Sequence, residues 1–221
     1  MQVPAEDAMK LYELGPTRSI RARWMLQELG VPFESVPVDL PAGEHRRDAF
    51  RALNPAGKVP VLIDEGRMLT ESVAIVLYLA EKYPEAGLLP AEPAERAQAY
   101  RWMLFAVTEL EQPLWRMARH RGLYPPDLRL PADIELAKRD FEPMAEVLER
   151  HLAEREFVAG DRFSAADIVV AYTLDWADND GLLAQRPALR AYVARMYARP
   201  RAARHIRDLL QQLRASAPSQ P

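Results

Sequence analysis

The sequence predicts an α/β domain followed by an all-α domain, and three observations support this. Short apolar strands alternate with helices over residues 9–84. Residues 85–94 are rich in Pro, Ala and Glu, as expected of a linker. Apolar residues then recur at helical spacing over residues 95–214. A chain of 221 residues has room for two such domains, and we expect residues 215–221 to form a mobile tail.

The beginning of the first domain reads as strand, helix, strand. Lys10 to Leu14 predicts a strand that Gly15-Pro16 ends, and an apolar helix face follows from Ile20 to Leu29. Phe33 to Leu40 predicts a second strand. Because Pro37 has no N–H to donate to a ladder, this strand should lie at a sheet edge.

The rest of the first domain completes the order β-α-β-α-β-β-α. A short helix containing Phe50 and Leu53 precedes a turn at Asn54. Strands at 61–64 and 67–69 flank a Glu-Gly hairpin turn. A strongly apolar helix begins at Ser72 and closes the unit.

The second domain carries two notable local signals. Pro143 falls inside a helical run and should kink or break it. Ser164 and Asp167 have the spacing of a capping box at the start of a helix, so we interpret them as folding residues.

Bulk properties exclude several classes of function. The net charge of −3 gives no electrostatic case for nucleic-acid binding. We find no apolar run of membrane-spanning length and no secretory signal, and we expect a cytoplasmic protein. There are no cysteines, and His45, His120, His151 and His205 lack ligand spacing, so we expect no metal.

The most informative stretch is the turn from Asn54 to Lys58 with the Val59-Pro60 entry into a strand, followed by Glu71-Ser72. Val59-Pro60 is a candidate cis bond that would turn the Val59 backbone outward to pair with an extended peptide. Glu71 offers a carboxylate for an ammonium group. The helix start at Ser72 attracts a carboxylate, so the pair suits an amino-acid head group.

The order and spacing of these motifs resemble the glutathione S-transferase family over about Met9 to Arg207. The resemblance implies a thioredoxin-like first domain with a mixed four-stranded sheet and a glutathione site. That site comprises Lys58, Val59, Pro60, Glu71 and Ser72. It also implies that His45 binds the glycine end of glutathione, and we add Arg18 to the binding set.

The resemblance places the chemistry at the first strand-to-helix turn, where Thr17 stands at the position of the family's activating serine. Ser19 is the alternative activator, and both residues are also ordinary helix caps. Lowering a thiol pKa by roughly two units takes about 2.7 kcal/mol. A hydroxyl hydrogen bond plus the helix start is enough in magnitude. Tyr12 lies too early, inside the strand, and we interpret it as a packing residue.

The electrophile pocket is expected between the turn at Gly15–Arg18 and the first long helices of the second domain. Its candidate residues, which helical spacing also allows as core, are Trp102, Phe105, Trp115, Arg119 and Trp176. Three arginines of that region, Arg116, Arg119 and Arg121, either favour an acidic substrate or are merely solvated.

The resemblance implies a glutathione transferase acting on small apolar electrophiles. Glutathione-dependent reduction of peroxides or disulfides is one alternative, and a non-catalytic protein-interaction module is another. We also expect a C2 homodimer, because the helix from Ser72 to Tyr83 is apolar on more than one face and needs cover on both sides. The resemblance implies the same, since members of the family usually pair with the first domain of one chain against the second domain of its mate.

Overall fold

The computed structural model describes residues 9–216, which form two compact units. One unit comprises residues 9–89 with 199–216, and the other comprises residues 90–198. The boundary between residues 89 and 90 falls inside the predicted linker. Of the predicted tail, residues 215 and 216 end a helix, and residues 217–221 lie outside the described part.

The first unit contains a mixed four-stranded sheet, as the sequence predicts. Its strands are β1 (Lys10–Glu13), β2 (Glu34–Pro37), β3 (Val61–Asp64) and β4 (Arg67–Thr70). They lie in the order β2-β1-β3-β4, with β1 and β2 parallel and the other pairs antiparallel. The edge position predicted for β2 from Pro37 is therefore confirmed.

The strand predicted from Phe33 to Leu40 is shorter in the structure. The N–H of Val38 still donates to Glu13 (2.9 Å), but the chain then turns, and the N–H of Gly43 donates to Leu40 (3.0 Å). Val38 joins Phe50 and Val61 in a small core on which Tyr12 packs. The Tyr12 and Phe50 rings meet edge to face at 6.3 Å, so Tyr12 is a packing residue, as expected.

The helices of the first unit are α1 (Ser19–Leu29), α2 (Asp48–Leu53), α3 (Ser72–Lys82) and, from the end of the chain, α9 (Ile206–Ser216). The helix α1 packs against α3. The Val59-Pro60 peptide bond is cis, as anticipated, and so is Gly15-Pro16, which the sequence did not single out.

The described part of the second unit is helical. Its helices are α4 (Pro93–Phe105), α5 (Glu111–Ala118), α6 (Pro131–Leu152), α7 (Ala165–Asn179) and α8 (Pro187–Tyr197). Turns of π-helix follow α4 at Ala106–Leu110 and α5 at Arg119–Leu123.

The break considered at Pro143 does not occur, because α6 runs continuously from Pro131 to Leu152. Buried residues on both sides of the proline, including Phe141 and Ala145, hold the two halves against the core. Packing of this kind outweighs the cost of roughly 3 kcal/mol for a proline inside a helix.

Candidate functional site

Three segments singled out in the sequence converge at one edge of the first unit's sheet. The register pairs Tyr12 with Val61 and Val61 with Thr70. The end of β1, the start of β3 and the end of β4 are therefore neighbours. This edge is followed by the turn at residues 15–19, which comes after β1, and by the Glu71-Ser72 pair, which comes after β4. The residues just before β3 lead into the same edge.

The first turns of α1 and α3 are joined by a buried hydrogen bond. Nη1 of Arg21 donates to Oγ of Ser72 at 3.3 Å. Arg21 is 1% exposed, and Ser72 is also buried. Sequence reasoning missed Arg21, because nothing in the local pattern of α1 distinguishes this arginine from the nearby Arg18 and Arg23. The bond fixes the two helix starts relative to each other, and helix N-termini favour negative charge.

The two candidate hydroxyls lie beside each other. Oγ1 of Thr17 is 2.5 Å from the Leu14 carbonyl oxygen and 2.9 Å from Oγ of Ser19, and it accepts from the Ser19 N–H at 3.2 Å. A hydroxyl has one proton, and Thr17 donates its proton to the Leu14 carbonyl oxygen. In the hydrogen bond between the two hydroxyls, Ser19 is therefore the donor and Oγ1 of Thr17 is the acceptor. Thr17 is half-buried, whereas Ser19 is 1% exposed. Arg18, between them, is half-buried at the N-cap position of α1.

Glu71 has an unusual backbone conformation. Its φ is +67° and its ψ is 112°, a region that costs a non-glycine residue of order 1–3 kcal/mol. Its carbonyl accepts from the N–H of Ile75 at 3.0 Å, so it is the N-cap of α3, but its side chain makes no cap hydrogen bond. The exposed carboxylate has no hydrogen-bond or ion-pair partner within residues 9–216. The strain is therefore not explained by local capping.

A buried asparagine shapes the turn before β3. Nδ2 of Asn54 donates to the Lys58 carbonyl at 2.7 Å, and Oδ1 accepts from the Ala56 N–H at 3.0 Å. The side chain of Lys58 is exposed. The side chain of Val59 packs on the small core around Phe50, and its backbone lies outside the β3–β4 ladder, which begins at Val61.

The loop that contains His45 lies against this turn. Gly57 has φ +60°, and a Cβ built on it would lie 2.9 Å from the His45 carbonyl oxygen. His45 is half-buried, and its Nε2 accepts from Nε of Arg46 at 3.2 Å. In the neutral ring this leaves the proton on Nδ1, a buried atom with no hydrogen-bond partner in the described chain. The structure therefore brings His45 and Lys58 onto neighbouring loops.

A cavity of about 330 Å³ adjoins the turn after β1. Its lining is mixed: the apolar residues include Leu14, Ile20 and Leu209 of α9, and the polar ones are Glu13, Arg23, Gln27, Ser35 and Arg204. A Cβ on Gly15 would lie 3.0 Å from Leu209 Cδ1. The polar end holds Glu13, which is also part of the lining and is buried in a network with an arginine and a serine. The close approach of Gly15 to Leu209 could not be predicted from local sequence, because the two residues lie far apart along the chain.

The candidate pocket residues of the second unit fall into separate groups. Trp102 is 3% exposed, and its ring contacts Phe105 at 5.4 Å and His151 at 4.2 Å, a packing environment. Burial lowers the pKa of His151 below its usual value. Trp115 and Arg119 are half-buried together, with the guanidinium 5.8 Å from the ring centroid. Trp176 is half-buried on α7.

The predicted capping box is present at the start of α7. Ser164 Oγ accepts from the Ala166 N–H, and the Asp167 carboxylate accepts from the N–H groups of Ser164 and Val158 and from the Tyr192 hydroxyl. Burial raises the pKa of Asp167. These hydrogen bonds satisfy the buried Asp167 carboxylate and hold the start of α7, which is a structural role.

Residues 9–216 contain neither a candidate metal centre nor a candidate membrane-spanning helix. No group of three or more His, Cys, Asp or Glu side chains in that range is arranged to hold a metal ion. No helix there is long and apolar enough to cross a membrane.

Comparisons with protein families match both halves of the chain. The model for the glutathione S-transferase N-terminal domain matches residues 7–81, and the model for the C-terminal domain matches residues 131–195. Glutathione S-transferase 3 of Zea mays is 35% identical over 206 residues, covering 87% of this chain and 90% of the relative. Maleylacetoacetate isomerase of Pseudomonas aeruginosa is 47% identical, but only over 94 residues, 41% of this chain.

Solved structures give the same picture of the fold. A possible glutathione S-transferase from Rhodopseudomonas palustris superposes with a TM-score of 0.79 at 31% identity, covering 90% of this chain and 89% of that one. Ure2p in complex with glutathione superposes with a TM-score of 0.81 at 23% identity, covering 91% and 98%. At that identity the likeness to Ure2p concerns the fold alone.

Proposed function

Because this chain belongs to the glutathione S-transferase family, we propose that it conjugates the thiolate of glutathione to small apolar electrophiles. The observation that carries the proposal is the convergence, at one sheet edge, of the Thr17–Ser19 hydroxyl pair with Val59 and Glu71-Ser72. Glutathione offers a complementary group for each. Proteins of this fold described with bound glutathione, such as Ure2p, support the choice of ligand.

We assign the γ-glutamyl end of glutathione to the start of α3. The exposed Glu71 carboxylate receives the α-ammonium group, and its lack of a protein partner leaves it available for that role. Ser72 already accepts from Arg21, so its own proton is left to donate to the α-carboxylate. The strained Glu71 backbone fits this assignment, since strain of this kind is found at binding sites.

The remaining parts of glutathione are assigned to the turn before β3. The Val59 backbone pairs with the cysteinyl residue as an added strand, next to Pro60. Lys58 and His45, on neighbouring loops, hold the glycine carboxylate. Asn54 is a positioning residue, because both ends of its amide hold the turn that presents Lys58 and Val59. Arg18 is assigned to the binding set at the start of α1.

Thr17 is the activating hydroxyl in this proposal, and Ser19 is a positioning residue. Thr17 is the more exposed of the two, so a thiolate reaches it first. When the thiolate arrives, the Thr17 proton turns from the Leu14 carbonyl to the sulfur. The Ser19 hydroxyl, 2.9 Å away, then donates to Oγ1 of Thr17 and keeps that oxygen hydrogen-bonded.

The reaction itself is a nucleophilic substitution or addition. The thiol proton passes to solvent when the thiolate forms. The sulfur then donates an electron pair to an electron-poor carbon, and the C–S bond forms. With an aryl halide, the carbon–halogen bond breaks and the halide leaves with the bonding pair.

The cavity beside Gly15 is the proposed seat for part of the electrophile. It adjoins the turn after β1, and the apolar part of its mixed lining comprises Leu14, Ile20 and Leu209. Leu209→Trp should fill it, lowering kcat/KM for a bulky electrophile while leaving glutathione affinity unchanged. Equal losses for small and bulky electrophiles would contradict this placement.

We also propose that the protein is a C2 homodimer. Within this chain the apolar residues Val73, Ala74 and Leu77 of α3 remain only half-buried, so a second copy has apolar surface to cover. Light scattering should give twice the 25.1 kDa mass of one chain. A mass of one chain at micromolar concentration would reject the dimer.

The direct test is conjugation of glutathione to chlorodinitrobenzene, with chloride release measured beside conjugate formation. The two should appear in equal amounts, and Glu71→Gln should lower kcat/KM by about tenfold or more, the size of a lost charged hydrogen bond. Glu85→Gln, an exposed carboxylate of the same unit, is the control. Turnover of peroxides or mixed disulfides with no conjugate formed would favour the reductase alternative, and no turnover of any of them would favour the non-catalytic one.

A further inference from the structure

We propose that the segment of residues 199–214, which we call the C-terminal basic segment, docks the protein on the surface of an anionic lipid bilayer. The segment belongs to the first unit and includes most of α9. Such a contact is peripheral and needs no membrane-spanning helix. It is independent of the glutathione assignment above.

Positive charge is concentrated near the end of the chain. The C-terminal basic segment contains five arginines and one carboxylate, that of Asp208, whereas the whole chain has a net charge of −3. The rest of the sequence is therefore acidic on balance. A positive region on a chain that is negative elsewhere favours one oriented contact with an anionic surface.

The arginines of the segment differ in their partners. Nε of Arg199 pairs with Oε1 of Glu28 at 2.9 Å. Arg201 donates to the backbone carbonyl of Glu28 at 2.7 Å, and Arg204 donates to the side-chain oxygen of Gln212 at 2.6 Å. These two acceptors are uncharged, so the bonds position the guanidinium groups without cancelling their charge.

Four arginines keep an uncompensated charge at short range. Among residues 9–216, no carboxylate lies within ion-pair distance of Arg201, Arg204, Arg207 or Arg214. All four side chains are exposed. An anionic surface can therefore approach them without displacing an existing ion pair.

Three of these arginines lie along α9. Arg207 and Arg214 are seven residues apart, a rise of about 10 Å along one side of the helix. Arg204 precedes the helix and is tied to it by its bond to Gln212. The charges form a row, and a row of charges matches an extended anionic surface better than it matches one small anion.

The apolar residues of α9 become more exposed towards the end of the helix. Ile206 is 5% exposed, Leu209 and Leu210 are half-buried, and Leu213 is 46% exposed. An exposed leucine beside Arg214 is the combination found in helices that lie at a bilayer surface. The leucine enters the acyl boundary, while the arginine reaches the headgroups.

This apolar component separates a bilayer from a nucleic acid. Both surfaces offer phosphate groups to the arginines. The phosphate backbone of a duplex, however, gives Leu213 no apolar layer to enter. A bilayer accommodates both the charged row and the leucine, so it is the partner that the residues favour.

Sedimentation of the purified chain with lipid vesicles tests the contact. One set of vesicles contains phosphatidylcholine alone, and the other contains phosphatidylcholine and phosphatidylglycerol in equal amounts. We expect the anionic vesicles to bind at least about tenfold more tightly, and this binding to weaken as salt is raised, because salt screens exposed charges. No binding to the anionic vesicles, or equal binding to both sets, would overturn the proposal.

Titration with a duplex oligonucleotide at the same salt concentration distinguishes the two anionic surfaces. We expect the duplex to bind more weakly than the anionic vesicles when the two are compared per phosphate. Binding of the duplex as tightly as the vesicles would overturn the choice of a bilayer.

Paired arginine variants locate the contact. Each arginine near an anionic surface contributes about fivefold in affinity, so Arg207→Gln/Arg214→Gln should bind the anionic vesicles at least about tenfold more weakly. Arg139→Gln/Arg150→Gln removes the same charge from exposed positions of α6 and should change affinity by less than about twofold. An equal loss in the two double variants, with both folded by circular dichroism, would show a general charge effect and refute the site.

A third variant tests the apolar part of the contact. Leu213→Gln keeps every charge and should weaken binding to the anionic vesicles by about threefold or more, because the leucine no longer enters the acyl boundary. Unchanged vesicle binding in Leu213→Gln would refute the bilayer as partner. Because no glutathione is present in these experiments, failure here leaves the transferase proposal untouched.

Discussion

Removal of the Thr17 hydroxyl should raise the pKa of glutathione bound to this protein. Thr17→Val keeps the shape of the side chain and deletes the proton that we assign to the thiolate. A hydrogen bond to a charged group is worth roughly 1.5–3 kcal/mol. At about 1.4 kcal/mol per pKa unit, the thiol pKa should rise by roughly one to two units, towards its ordinary value near 8.5.

Ser19→Ala should have a smaller effect in the same direction. The Ser19 hydroxyl lies 2.9 Å from Oγ1 of Thr17 and is 1% exposed, so it acts on the sulfur only through Thr17. Thr17→Ser keeps the donor and should keep the lowered pKa.

The assay is a pH titration of the ultraviolet absorbance of the bound thiolate, repeated as a pH profile of kcat/KM. Thr108→Val is the matched control, because its hydroxyl also donates to a backbone carbonyl, that of Leu104 at 2.9 Å. An unchanged titration in Thr17→Val, or a larger shift in Ser19→Ala, would refute the assignment of Thr17 as activator. No shift in either variant would refute activation by a hydroxyl.

Three further results follow from the structure. Gly57→Ala should lower the free energy of unfolding by about 1–3 kcal/mol in urea titrations, because a Cβ meets the His45 carbonyl at 2.9 Å; an unchanged midpoint would contradict the close approach. Glu71→Gly should be more stable than Glu71→Ala by about 1 kcal/mol, since only glycine relieves the positive φ, although both variants lose glutathione affinity; the reverse order would argue against strain. Because burial lowers the pKa of His151 from 6.5, the unfolded chain binds more protons there, so stability should fall as pH drops through about 6.5, and His151→Gln should lose this part of the pH dependence.

Much of the first unit could be predicted from local sequence. Pro37 placed β2 at the sheet edge, because a missing N–H is a property of one residue. The capping box at Ser164 and Asp167 was predictable for the same reason, since its two partners are three residues apart. The motif from Asn54 to Glu71 could also be predicted from local sequence, because it is recognised by the order and spacing of residues that are close together along the chain.

Contacts between distant segments could not be predicted in this way. Arg21 meets Ser72 across 51 residues, and Leu209 covers Gly15 from the far end of the chain. Whether a carboxylate of residues 9–216 lies near the arginines of the C-terminal basic segment is decided only by folding. The π-helical turns differ too little from α-helical spacing to be seen in the pattern of apolar residues.

Calorimetric titration with glutathione tests the proposed site most directly. The unsubstituted chain should bind one glutathione per chain, Glu71→Gln should bind at least about tenfold more weakly, and Glu85→Gln should be unchanged. No binding to the unsubstituted chain, or equal affinity in Glu71→Gln, would contradict the assignment of glutathione to this sheet edge.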